Sequence, residues 1–212
     1  LRIICGMLRT MIYVGVYIGW GISIYKRVIQ KSVRNVLIFI AELIIFWFVV
    51  RTTKYFFTMD NQIARYLWYS YYIPMLFIPV AVLQAAFFLG KSEEYRLPKW
   101  LKGVYIPTAV LVLLVLSNDL HQLVFSFPVG SAWSDSHYTY GWGYYVVLVW
   151  EVVCALTAFV LMIYKCRHSQ KKKYLPLLGI GAAVLYTVLF ISGVAWVQEI
   201  GGDITAVLCL FF

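Results

Sequence analysis

The sequence predicts an all-α, polytopic membrane helix bundle of six full transmembrane helices plus the start of a seventh, with the N-terminus outside. Three observations carry that expectation. Of the 212 residues, 63% are hydrophobic and 13% charged, with a mean hydropathy of +0.82, whereas a soluble domain is about half apolar and about a quarter charged. The apolar residues are gathered into runs that meet the roughly 20 residues needed to cross about 30 Å of hydrocarbon. The basic residues concentrate between alternate runs, the asymmetry that orients membrane helices.

The first run spans Ile3 to Tyr25 and has no small-residue cleavage site followed by a polar segment, so it is expected as a retained helix and not as a signal peptide. Lys26, Arg27, Lys31 and Arg34 separate it from the second run, Val36 to Phe57. Arg9 and Arg51 stand near helix ends, where a long stem reaches the headgroups. The third run, Tyr66 to Gly90, contains Pro74 and Pro79; each removes an internal hydrogen bond, so a bend is expected there. Lys91, Arg96, Lys99 and Lys102 follow it. The fourth run, Val104 to Phe127, carries Pro107 in its first turn, where a missing N–H costs little. The fifth, Trp142 to Tyr164, precedes Lys165, Arg167 and Lys171 to Lys173; the sixth covers Leu175 to Gln198, and a partial seventh starts at Ile204. In the sixth, Gly179, Gly181, Ala182 and Ala183 form a stripe suited to close helix packing.

Thirteen of the 18 basic residues thus lie in alternate loops, which places those loops in the cytoplasm. A formal charge of +9 then reflects contact with anionic lipid, and nucleic acid is excluded as a partner because the basic positions flank helices and build no separate domain. The chain begins without Met and stops at Phe211-Phe212 inside an apolar run. It is therefore expected to be one transmembrane domain, residues 1–212, truncated at both ends. The four cysteines, Cys5, Cys154, Cys166 and Cys209, form no CxxC pair and are expected as free thiols.

Ionisable groups at bilayer depth are costly and need an account. Glu42 lies eight residues beyond Arg34, roughly 12 Å into the membrane, and Glu151 lies nine residues beyond Trp142. Both are expected to face the bundle, either in a structural hydrogen bond or ion pair or in ligand recognition or proton sensing. The densest polar cluster is Ser117, Asn118, Asp119, His121 and Gln122, set between apolar stretches. In a continuous fourth helix Asn118, His121 and Gln122 would share a face through i,i+3 and i,i+4 spacing. The segment from Phe127 to Gly143, with Trp133, Asp135, His137, Tyr138 and Tyr140, would cap a polar pocket. Asp119, His121, Asp135 and His137 would meet at a metal only if that segment folded back, and no metal or cofactor is assigned. No Ser-His-Asp spacing, glycine-rich phosphate loop or HExxH is present, so no catalytic residue is assigned either.

The pattern Tyr72-Ile73-Pro74 with Pro79, followed by Leu116-Ser117-Asn118-Asp119-Leu120-His121, resembles the N-terminal seven-transmembrane sensor region of bacterial histidine kinases. That family shows Leu-Thr-Asn followed two residues later by His; here Ser117 replaces Thr and keeps the hydroxyl. The approach through Tyr138, Tyr140, Gly141, Gly143 and Tyr144 into Trp150 and Glu151 also looks familial, and the resemblance spans the chain.

It implies a sensor that binds a small ligand, or responds to proton or lipid state, in the bilayer. A seventh helix would relay the change to a cytoplasmic signalling output domain or response regulator of a two-component system. Any histidine kinase activity would reside beyond Phe212, and a homodimer is implied as usual for such kinases. The expected ligand-binding or signal-sensing residues are Asn118, Asp119, His121, Gln122, Glu151 and Glu42, with Pro74 and Pro79 as helix bends. The other reading of intramembrane Glu42 and Glu151 is a small membrane transporter or proton-coupled permease subunit, opposed by the absence of paired broken helices in two halves.

Overall fold

A computed structural model describes residues 2–56, 61–128 and 138–166. In chain order these form α1 (Arg2–Arg27), α2 (Lys31–Phe56), α3 (Asn61–Tyr69), α4 (Tyr72–Phe88), α5 (Lys99–Gly103), α6 (Tyr105–Leu116), α7 (Asn118–His121), β1 (Phe125–Ser126), β2 (Thr139–Tyr140) and α8 (Trp142–Cys166).

The expected count of six full transmembrane helices plus the start of a seventh is corrected. Among the described residues, four helical stretches are long and apolar enough to cross a membrane: Lys31–Lys54, Gln62–Phe88, Lys99–Leu116 and Trp142–Cys166. The first run does form a helix, α1, but it is not one of the four. The sixth and seventh runs, the Gly179 stripe, the Lys171 to Lys173 run, Cys209, Trp133, Asp135 and His137 lie outside the described residues. The outside N-terminus was read from basic loops between six counted passes, and the count among the described residues is four.

Prolines set the breaks. Pro74 has no N–H to give Ser70, and its ring would collide with that carbonyl. The helix therefore stops at Tyr69 and restarts at Tyr72, with Ile73 N–H donating to Ser70 O at 3.2 Å and Ser70 Oγ–H to Tyr66 O at 2.9 Å. Pro107 stands four residues after Gly103, where α5 ends, and Val104 separates it from α6. Pro79 is accommodated inside α4.

The helices pack side by side in the order α1, α2, α4, α8, with α3 against α2 and α6 against α4. Tyr17, Ile40, Ile44, Phe48 and Ala81 form the core between the first three, and the Thr10 and Thr52 hydroxyls bond α1 to α2. On α8 the buried residues Gly143, Val147, Cys154 and Ala158 recur at three- and four-residue steps, the periodicity of one helix face. Val147 shares a core with Leu76, and Ala158 shares another with Leu83 and Ala86. α4 and α8 therefore run parallel. Cys154 and Cys166 are free. Trp150 Nε1–H donates to Thr108 Oγ1 at 3.1 Å, joining α8 to α6.

At the end carrying the basic loops, Lys165 Nζ donates to Ala86 O at 2.9 Å and to Phe87 O at 2.6 Å. These are carbonyls of the last turn of α4, which lack helical partners and carry the negative end of its dipole. Lys165→Met is expected to lose both charged bonds and about 1.5–3 kcal/mol, read as lowered thermal stability of the chain in nanodiscs.

Candidate functional site

At the opposite end of α4 and α8 the chain builds a compact cap. The helical path of the fourth run stops at Leu116, where Ser117 leaves helical geometry (φ −89°, ψ 10°) and donates Oγ–H to Leu113 O at 2.7 Å. A single further turn, α7, ends at Gln122, which adopts the left-handed conformation (φ 49°). The chain reverses there into β1. β1 pairs antiparallel with β2, Phe125 facing Tyr140 and Ser126 facing Thr139.

Asn118 holds that reversal. It is fully buried and uses all four of its hydrogen-bonding positions. Its Oδ1 accepts from Val124 N–H and Phe125 N–H, both at 3.0 Å, while Nδ2 donates to Phe125 O at 2.8 Å and Tyr69 Oη at 3.2 Å. A turn with this little regular pairing survives burial because one side chain satisfies its backbone.

His121 acts on the same turn. Its Nδ1 accepts from Leu123 N–H at 3.0 Å, so the ring proton resides on Nε2, which lies 3.1 Å from Leu114 O and 3.2 Å from Ser117 Oγ. Ser117 Oγ–H is already directed at Leu113 O, which leaves its oxygen to accept. The bond set thus specifies one neutral tautomer.

Asp119 ties the cap to the neighbouring helix. Tyr69 Oη–H donates to its Oδ1 at 2.7 Å, and the Arg65 guanidinium pairs with its Oδ2 at 2.8 Å. Arg65, Asp119, Tyr69 and Asn118 therefore form one polar chain running from α3 to the turn. Around it Phe125, fully buried, lies among the rings of Trp68 (centroids 4.6 Å), Tyr72 (5.5 Å), Tyr138 (5.5 Å) and Tyr144 (6.0 Å). Tyr140 stacks on Tyr144 at 4.0 Å. Gly141 N–H donates to Val124 O and Gly143 N–H to Leu123 O, both at 2.9 Å, which seats the start of α8 on the reversal.

The structure brings Asn118, Asp119 and His121 together, but not as the exposed face of one continuous helix. Asn118 points inward, His121 folds back on α6, and Gln122 is exposed, accepting from Ser126 Oγ at 3.5 Å. Glu151 lies deeper, between Val147 and Cys154 on the buried stripe of α8. Glu42, expected to face the bundle, is exposed on α2 away from this cluster. Arg65, Tyr69 and Phe125 are components the sequence pattern did not single out. The available signal was that Arg65 and Tyr69, four apart, share a helix face immediately before the Pro74 break.

The family model described as "N-terminal 7TM region of histidine kinase" matches residues 6–212. No curated protein and no solved structure matches the chain.

Proposed function

The chain belongs to the family of N-terminal 7TM regions of histidine kinases, and from that premise we propose that the cap around Asn118 and Asp119 is where its signal is received. The protein is a multi-pass plasma-membrane sensor that relays a stimulus to a cytoplasmic output such as a histidine kinase. In our reading residues 1–212 are one sensor domain, a small ligand acts on the cap, and two copies work as a dimer.

The observation that carries this reading is the polar chain Arg65–Asp119–Tyr69–Asn118. It joins the helix break made by Pro74 to the turn that seats α8, so a change in the cap alters the starting points of α4 and α8 together. Those two helices run parallel to the Lys165 contact at the basic end, which supplies a direct path toward the cytoplasmic output. A stimulus moves this equilibrium only by binding one arrangement better than the other. Asn118 and His121 hold the turn, Asp119 couples it to α3, and Glu151 stands beneath it. Pro74 and Pro79 make α4 the element most able to change its bend.

The test uses the full-length protein in nanodiscs, following ATP-dependent phosphorylation. Asp119→Asn keeps the shape and removes the charge that holds Arg65. It is expected to change basal labelling by about five-fold or more, the lower end of usual allosteric coupling. Tyr69→Phe should do the same, and the double variant should fall short of additivity because both act through one chain. Labelling indifferent to both substitutions would overturn the proposal.

A further inference from the structure

We propose that the ligand the cap receives is the proton, taken up at His121 Nδ1, and that its binding releases the turn at Gln122. This deepens, and rests on, the reading of the cap as the sensor.

His121 Nδ1 accepts from Leu123 N–H at 3.0 Å, and its Nε2–H is directed at Leu114 O and Ser117 Oγ. A neutral imidazole has one acceptor nitrogen, and an imidazolium has none. A proton arriving from water forms its bond with the Nδ1 lone pair, the same lone pair that holds Leu123 N–H. The two cannot coexist, because two N–H groups would then face each other. The ring is partly exposed and stands beside the exposed Gln122, which opens it to the aqueous phase. The hydrogen bond also bridges Gln122, whose φ of 49° is a left-handed conformation unfavourable for a residue with a side chain. Such a backbone persists only while its surroundings hold it, and here His121 is one of the groups that do.

The release has a direct route to α8. Leu123 is held through its N–H by His121 and through its O by Gly143 N–H, in the first turn of α8. A residue that lets go of His121 is therefore the one on which α8 is seated. The titratable and charged groups on the surrounding elements are Asp119 on the same turn, Arg65, Tyr66 and Tyr69 on α3, Tyr138 and Tyr140 at β2, and Tyr144, Tyr145 and Glu151 on α8. Past Tyr105, at its far end, α6 contributes none. Asp119 is engaged by Arg65 and Tyr69, and among the described residues none of these groups bonds the ring. No carboxylate among them takes the new N–H in place of the lost bond. The closed turn thus refuses a proton that the open turn accepts, so falling pH favours the open turn. A histidine kept only for its shape would be matched by any neutral side chain with an acceptor at that place, and the difference is measurable.

The experiment uses full-length protein in nanodiscs, with nitrogen-15 in its histidine rings, taken from about pH 8 to about pH 5, the span in which histidine changes charge. The His121 signals are those missing from His121→Asn. They should show the Nε2–H neutral tautomer at the high end and two protonated nitrogens at the low end. Over the same interval, protection of the Leu123 and Gly143 amides, corrected for the intrinsic pH dependence of exchange, should fall about five-fold or more, the equivalent of one ordinary hydrogen bond. In His121→Asn the side-chain oxygen accepts from the amide two residues on and takes up no proton, so protection there should not change with pH. Glu151→Gln should keep the native pH response, which separates His121 from the deeper carboxyl. A ring that stays neutral at the low end, or one that protonates with Leu123 and Gly143 still protected, would overturn the proposal, and both are read on the native protein. An equal loss of protection in His121→Asn, or its disappearance in Glu151→Gln, would overturn it too. Phosphorylation is followed in the same samples and compared with His121→Asn at each pH, which cancels the kinase's own pH dependence. A turn that opens in acid while labelling stays level would uphold the proton site and reject the cap as the receiver. Labelling that responds to Asp119→Asn while the His121 ring stays neutral would keep the cap and reject the proton.

Discussion

Replacing Asn118 by Leu is expected to cost the protein about 4 kcal/mol or more, because it strips partners from four groups at once. Val124 N–H, Phe125 N–H and Phe125 O all depend on this one side chain, and Tyr69 Oη loses a donor. A buried polar group left unpaired costs about 1–3 kcal/mol. Val124 and Phe125 are fully buried, so water offers no easy replacement. Leu has as many side-chain heavy atoms as Asn, but its methyl groups are bulkier and its Cγ is not planar, so overpacking adds to the lost hydrogen bonds.

Asn118→Asp separates the two halves of the role. It retains an oxygen for the two backbone donors but presents a second oxygen to Phe125 O, where Nδ2 now donates. It should therefore also destabilise, through repulsion at that carbonyl. Thermal unfolding of the full-length protein in nanodiscs, with amide exchange at Val124 and Phe125, reads both effects. A loss below about 1 kcal/mol for Asn118→Leu, the net worth of one ordinary hydrogen bond, would mean that the turn is held by something else.

The sequence located much of this architecture because its signals are local. The apolar runs in the second to fifth positions reappear as the stretches Lys31–Lys54, Gln62–Phe88, Lys99–Leu116 and Trp142–Cys166. The break before Tyr72 follows from Pro74 alone, since the lost bond and the ring clash are properties of that residue. The count of passes was not legible in the same way. Hydropathy marks the α1 region as one more spanning run, whereas α1 is not among the four stretches found in the described residues.

The end of the fourth run misled for a different reason. Leu123 to Phe127 is apolar, and periodicity alone cannot tell a buried helix from a buried turn. The turn is apolar outside because its backbone is satisfied from within by Asn118, and nothing in local spacing reveals that. Arg65 and Asp119 are 54 residues apart in the chain and meet at 2.8 Å, a pairing set by how α3 packs beside α6. Glu42 shows the converse. Its depth in the helix was legible, but the direction it faces depends on the packing of α2 between α1 and α4, and there it is exposed.

Gly141→Ala is expected to dismantle the cap while leaving the other end of the bundle intact. A Cβ built on Gly141 would stand 2.1 Å from Leu123 O and 2.7 Å from its carbonyl carbon. Both are backbone atoms of the reversal, so no side chain can swing away to make room. The backbone must separate instead, and separation breaks Gly141 N–H to Val124 O, then Gly143 N–H to Leu123 O. The pairing of Phe125 with Tyr140 lies immediately beyond. Overpacking of a rigid site costs about 1–3 kcal/mol, occasionally more, and the lost hydrogen bonds add about 1 kcal/mol each.

Gly15→Ala is the matched control, because nothing lies within 4 Å of a Cβ there and a mid-helix alanine should stabilise by about 0.5–1 kcal/mol. The Lys165 contacts with Ala86 and Phe87 lie at the far end of α4 and α8, so the Gly141 variant should insert and keep protected amides there. Exchange should accelerate selectively at Val124, Gly141 and Gly143, as for a local unit with its own stability. If the cap receives the signal, this variant should retain phosphorylation yet no longer respond to a stimulus that acts on the native protein. A response preserved alongside lost cap protection would place the receiving site elsewhere on the chain, because the geometry around Gly141 leaves no way to keep the cap and add the methyl group.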